Sequence, residues 1–124
     1  KVIYHDFWFT NCAPCMKELP NYNDLIATTN EQDVEFIFYG AYMKNEEWQK
    51  TIDKFNLYGK HHLLTKNQLA FFEKYFGVHG FPHHQIIKSN GQIGDKVRFG
   101  AYPSNFDEIN KLIEKNKTET NNGA

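Results

Sequence analysis

The chain has 124 residues, enough for one domain that buries roughly two-thirds of the surface its unfolded form exposes. Its formal net charge is -1 with both signs interspersed, which leaves no electrostatic footprint for nucleic acid or an anionic membrane surface. No run of about 18 apolar residues exists to span a bilayer, and a total of 11 phenylalanines and 7 tyrosines points to a core built on rings.

The sequence opens on Lys1 instead of Met, and a strand-like run begins at once. It reads as a domain cut from a longer protein, with any signal peptide or anchor outside this segment. Val2 to Phe9 is β-branched and aromatic, the pattern of a central strand. From Ala13 the period becomes helical, with Met16, Leu19, Tyr22 and Ile26 on one face and Pro20 expected to kink it. Val34 to Tyr39 predicts a second buried strand closed by Gly40. Asn45 opens a helix with Glu46 and Glu47 in its first turn, where negative charge suits the dipole, and with Trp48, Ile52 and Phe55 inward. Leu69, Phe72 and Phe76 mark a third helix that ends near Gly77.

Two short strands follow, Gln85–Lys88 and Gln92–Phe99, joined by Ser89-Asn90-Gly91, whose Asn-Gly pair signals a tight hairpin. Ser104-Asn105-Phe106-Asp107 reads as a capping box before a last helix with Phe106, Ile109 and Ile113 inward. The expected domain covers 1–117, and the polar stretch TETNNGA, 118–124, reads as a frayed tail. The order βαβα(α)ββα predicts an α/β fold with a central mixed sheet. A parallel pair and an antiparallel hairpin make up that sheet, and helices cover both of its faces.

Both cysteines of the chain lie in WFTNCAPC, Trp8 to Cys15, where the first strand hands over to a helix. Positions i and i+3 are one helical turn apart, within the Cα range of a disulfide, so Cys12 and Cys15 can join and part with little backbone movement. The unpaired N–H groups and positive dipole end of a helix start favour a thiolate, which makes Cys12 the nucleophile. Pro14 fits a first turn, whose N–H would be unpaired anyway. Cys15, one turn further in, would resolve the mixed disulfide. A zinc site would need two more ligands, and the adjacent His61-His62 and His83-His84 pairs are poor sources, because neighbours on a strand point opposite ways. A structural disulfide closing so short a loop stabilises little.

These residues carry a resemblance. Asp6-Phe7-Trp8 followed by Cys12-Ala13-Pro14-Cys15 resembles the active-site segment of thioredoxin. Glu18 and Pro20, in the pattern P-C-x-x-E-x-P, are similar to the TlpA/ResA group of thiol:disulfide oxidoreductases. Phe76 to Pro82, an apolar strand and then Asn90-Gly91 resemble that superfamily's cis-proline segment. The resemblance runs from Tyr4 to Ile113. It implies a thioredoxin-like fold, a dithiol switch acting on protein thiols and disulfides, more as reductant than oxidant, and no cofactor or metal. It also implies an upstream redox partner, an extracytoplasmic setting in the periplasm or cell envelope, and room for a membrane anchor outside this segment.

Asp6 is an acid inside an apolar strand, costly to bury as a charge, so its pKa should be raised. One reading is a strand-end aspartate, solvated or hydrogen-bonded for structure. By the same resemblance it is instead the buried acid that exchanges a proton as Cys15 acts. The Phe81–Pro82 bond is cis, and Phe81, Pro82 and His83 join Trp8, Asn11, Ala13 and Pro14 as the substrate-binding surroundings. Trp8 reads as a ring packed beneath the site. Asn11 stands where both groups carry tryptophan, Ala13 where thioredoxin has glycine, and His83 where threonine is common. Glu18 reads as a solvated or locally paired helix charge. His5, His61, His62 and His79 read as surface or strand-flank residues, with His83 and His84 closer to the cysteines. Two other classes compete: a thioredoxin-fold binding or chaperone-like module of a larger envelope protein, and a peroxiredoxin-like peroxidase. The vicinal cysteine pair at a helix start argues against both.

Overall fold

Strand β1 (Val2–Trp8) is buried on both faces apart from the half-buried Ile3, as an apolar run between two layers should be. Its backbone pairs in parallel with β2 (Val34–Gly40) on one side. On the other it pairs antiparallel with β4 (His83–Ile87). Outside these lie β3 (Lys60–Leu63), parallel to β2, and β5 (Ile93–Val97), antiparallel to β4, giving the order β3-β2-β1-β4-β5. Both edge strands are short and carry exposed lysines, Lys60 and Lys96, which discourages further strand addition. This computed structural model describes residues 1–118; the segment read as a tail falls, from residue 119 on, outside the described residues.

The helices are α1 (Ala13–Glu18), α2 (Tyr22–Ala27), α3 (Asn45–Phe55), α4 (Lys66–Phe76) and α5 (Phe106–Lys115). The single kinked helix expected around Pro20 is two helices joined by a 3-10 turn, Leu19–Asn21, because proline has no N–H to continue the ladder. Strand β3 has no apolar alternation to announce it; its pairing with β2 makes it a strand. The capping box expected at Ser104 does not form. Ser104 lies inside a 3-10 turn, Pro103–Asn105, and Asn105 begins α5 without a side-chain cap. A reciprocal capping box occurs instead at Thr65 and Gln68, opening α4.

Alternation along β1 sends its side chains into two cores. Val2, Tyr4 and Trp8 pack with Leu19, Tyr22, Leu25, Ile109 and Ile113, so α1, α2 and α5 cover that face. Phe7 packs with Phe76, Val78 and Phe72 on the opposite face, beneath α4. His5 belongs to this second core. It is buried against Tyr39 and Phe76, with ring centroids 5.0 Å and 5.5 Å away, and is not the surface residue expected. Burial pushes its pKa down to about 4, so it is a neutral packing ring. His61 likewise stacks on Phe38 at 5.0 Å and is half-buried.

Gly59, at the turn into β3, has φ +93, and a Cβ there would lie 2.8 Å from the Phe36 carbonyl oxygen. Both the conformation and the backbone contact forbid a side chain. Gly59→Ala is expected to lower stability by about 1–3 kcal/mol, read as a lower urea midpoint with an unchanged slope. An unchanged midpoint would show that this turn relaxes freely.

Candidate active site

The chain leaves β1 at Trp8 and turns through Phe9–Asn11, with Cys12 N–H donating to the Phe9 carbonyl at 3.1 Å. Cys12 is the N-cap of α1 in extended conformation, and the Cys15 N–H donates to its Sγ at 3.2 Å. Pro14 occupies the first turn, as its missing N–H allows. Cys12 and Cys15 form a disulfide across this turn with their Cα atoms 5.2 Å apart. Cys12 is 5 % exposed and Cys15 1 %, while Asn11, Ala13 and Pro14 stand in solvent around them.

The cis Phe81–Pro82 bond precedes β4. Phe81 packs edge-on to Phe9 at 5.4 Å and lies 6.0 Å from Tyr42. Tyr42 is 64 % exposed and held at φ 55, a conformation uncommon for a tyrosine. Its ring also meets Phe9 edge-on at 5.6 Å, which completes an aromatic rim that sequence patterning did not mark. Trp8 has no exposed surface at all, so it is the ring packed beneath the site that the sequence implied, and it belongs to the core and not to the substrate-facing surroundings. His83 is half-buried against Phe7 at 5.7 Å. Burial holds its pKa below the ordinary value, so it brings no positive charge at neutral pH.

On the α1 side of the sheet the structure gathers three ionisable groups. Asp6 on β1 stands directly opposite His84 on β4 in the antiparallel register, so both point to the same face. Glu18, one turn beyond Cys15, reaches the same place. The three are 2 %, 5 % and 2 % exposed. Glu18 is therefore not the solvated helix charge expected. Its Oε1 lies 2.9 Å from His84 Nε2 and accepts from the Ala101 N–H at 2.7 Å. His84 Nε2 lies 3.8 Å from Asp6 Oδ1, and His84 Nδ1 lies 3.2 Å from the Val97 carbonyl oxygen. The contacts at Nε2 are close but poorly aligned: neither His84 Nε2 nor Asp6 Oδ1 has a well-formed hydrogen bond, and nor do the hydroxyls of Tyr4 and Tyr22 beside them.

Burial drives the Asp6 carboxyl up to about 7, with the Glu18 charge adding to it, while the His84 charge and the Tyr22 hydroxyl oppose. Burial opposes the charged form of His84, but Asp6 and Glu18 outweigh it and raise its pKa to about 9. Buried, poorly satisfied ionisable side chains on the same sheet face as a vicinal cysteine pair mark a candidate site. A groove of about 430 Å³, lined by Pro14, Glu18, Pro82, His84, Arg98 and Tyr102, opens beside it. The strand-to-helix link after β5 supplies one wall, which the motif reading missed, because Arg98 and Tyr102 belong to no recognisable pattern.

A family model described as thioredoxin-like matches residues 1–93. The thiol-disulfide oxidoreductase ResA of Halalkalibacterium halodurans is 26% identical over 114 residues, covering 92% of this chain and 63% of that protein. ResA of Bacillus anthracis is 28% identical over 98 residues, covering 78% of this chain and 54% of that one. The chain thus spans less than two-thirds of the length of these relatives. The thioredoxin domain of a Bacteroides vulgatus thiol-disulfide oxidoreductase superposes with a TM-score of 0.78 at 23% identity, over 91% of this chain and 79% of that one. A thiol:disulfide interchange protein DsbE of Chlorobium tepidum gives 0.76 at 22%, over 93% and 79%. These likenesses establish the fold.

Proposed function

This chain belongs to the thioredoxin-like family, and from that premise we propose that it is a thiol:disulfide oxidoreductase working on protein substrates, chiefly as a reductant. The observation that carries the reading is the Cys12–Cys15 disulfide across the first turn of α1, with exposed residues around it and a buried acid cluster beneath.

In the reducing direction the Cys12 thiolate attacks one sulfur of a substrate disulfide. A Cys12–substrate mixed disulfide forms and the other substrate sulfur leaves as a thiolate. Cys15 then gives its proton to Asp6 and attacks the Cys12 sulfur. The enzyme disulfide forms, and the second substrate thiolate departs and takes a proton from water. The protein has lost two electrons and the substrate has gained them, so an upstream dithiol partner must reduce the pair again.

The Cys15 N–H bond to Cys12 Sγ stabilises the attacking thiolate. The rim of Phe9, Tyr42 and Phe81 and the backbone around Phe81 offer an extended substrate segment a place to lie as an added strand. An envelope setting belongs to the same reading. No helix among the described residues is long and apolar enough to cross a membrane, so an anchor would come from sequence beyond this segment.

Equilibration with glutathione tests the direction. The pair is expected to have a potential near the thioredoxin value of about -270 mV, far from the about -120 mV of a strong oxidant. The reduced protein should also accelerate insulin reduction by dithiothreitol. A potential near the oxidant end would reverse the direction, and no acceleration would favour a binding module instead.

A further inference from the structure

His84 is anchored at one ring nitrogen. The Val97 carbonyl can only accept, so Nδ1 carries a proton and donates it across 3.2 Å. That leaves Nε2 to face two carboxylates, Glu18 at 2.9 Å and Asp6 at 3.8 Å. Only two arrangements satisfy this geometry. Either an imidazolium faces the carboxylates, or a neutral ring accepts from a protonated acid, and the two interconvert by moving one proton along Nε2···Oε1. The ring cannot turn away without orphaning Nδ1.

Asp6 is as buried as Glu18, but of the three groups only Glu18 and His84 line the groove that opens to water. We propose that His84 is the positioning residue of a three-group proton relay, through which the proton that Asp6 takes from Cys15 leaves by way of Glu18 into the groove. This rests on the reading of the cysteine pair given above and deepens it.

The proton count closes. With His84 charged, Nε2 passes its proton to Glu18, the neutral ring takes the proton that Asp6 received from Cys15, and Glu18 releases its own to water. One proton leaves and each group returns to its starting state. The 3.8 Å gap from Asp6 to Nε2 must shorten as the proton moves, an adjustment common when catalytic contacts tighten during turnover.

The groups that set this balance come from every element packed on the ring. They are Asp6 and Tyr4 from β1, Glu18 from α1, Tyr22 from α2, and the Val97 carbonyl from β5, with the Ala101 N–H holding Glu18. Lys96 and Arg98 flank the groove, and His83, on the opposite face of β4, stays neutral.

Two measurements test the relay. In the unaltered oxidised protein, nitrogen and carbon NMR shifts of the His84 ring should show a doubly protonated imidazole at pH 7.5 that loses charge only above pH 8. A neutral ring at pH 7.5 overturns the proposal, whatever the enzyme's activity proves to be.

In His84→Gln the carbon NMR titration of the Asp6 carboxyl should move upward by a unit or more, because the cation that favours its ionised form is gone. The pH midpoint for release of reduced substrate from the mixed disulfide should rise with it, which amounts to release at least about fivefold slower at pH 7. A titration and a release midpoint both unchanged, in a variant that folds, would also overturn it. If the unaltered protein shows no disulfide turnover, the function reading fails by itself, while the two titrations still decide whether His84 controls Asp6.

Discussion

Cys12→Ser is expected to reduce disulfide exchange to the uncatalysed level, a fall of about 10³-fold or more, with the fold intact. The serine oxygen keeps a polar atom at the N-cap of α1, where Cys12 Sγ accepts from the Cys15 N–H. The hydroxyl, however, titrates far above working pH and leaves no sulfur to form the mixed disulfide. Cys15→Ser should behave differently. The Cys12 thiolate still attacks, but nothing remains to resolve the product, so mixed disulfides with substrate proteins should accumulate and appear as non-reducing gel species or as mass adducts on Cys12. In the reduced protein iodoacetamide should label Cys12 well before Cys15, since Cys15 is the deeper of the two. Labelling in the opposite order, or adducts that appear with Cys12→Ser and not with Cys15→Ser, would exchange the two roles.

Asp6→Asn should produce opposite effects on activity and stability. With no carboxylate to accept the Cys15 proton, release of reduced substrate should slow by about 10²-fold above pH 7, while the first mixed disulfide still forms. Stability should rise instead. An unfolded Asp titrates near 3.8, but the buried Asp6 titrates at about 7. Between those values the unfolded chain is already ionised while the folded protein keeps its proton. The raised pKa therefore makes the fold lose stability as pH climbs through this window, levelling off above it.

The span from 3.8 to about 7 sets an upper limit of about 4 kcal/mol. His84 loses part of its charge partner in the variant, so the expected gain is smaller, about 1–3 kcal/mol above pH 7. It should shrink to nothing toward pH 4, read from urea midpoints across the range. His84 works with the opposite sign: its raised pKa stabilises the fold fully below its ordinary 6.5, a contribution lost as the pH rises through about 9. Single-turnover release unchanged from about pH 6 to 9 in Asp6→Asn would return Asp6 to a structural role.

Features that rest on local chemistry were legible along the chain. The two buried strands, the starts of α1 and α3, the Gly77 cap and the cysteine pair at a strand-to-helix junction all follow from periodicity, first-turn residues and i,i+3 geometry, which neighbours in the chain decide among themselves. Asp6 was legible too, as an acid inside an apolar run. Features that need a partner remote in sequence were set by the fold. Lys60–Leu63 became a strand by pairing with β2, and the capping box at Ser104 gave way to a 3-10 turn.

Glu18 illustrates the limit best. On its own helix it is an ordinary charge, with nothing nearby to announce burial. Only the register that sets Asp6 against His84, together with the link after β5 that brings the Ala101 N–H to its oxygen, makes it a buried acid beside the cysteines. A carboxylate's burial depends on which dipoles and cations the fold carries to it across eighty residues of chain, and no local pattern encodes that distance.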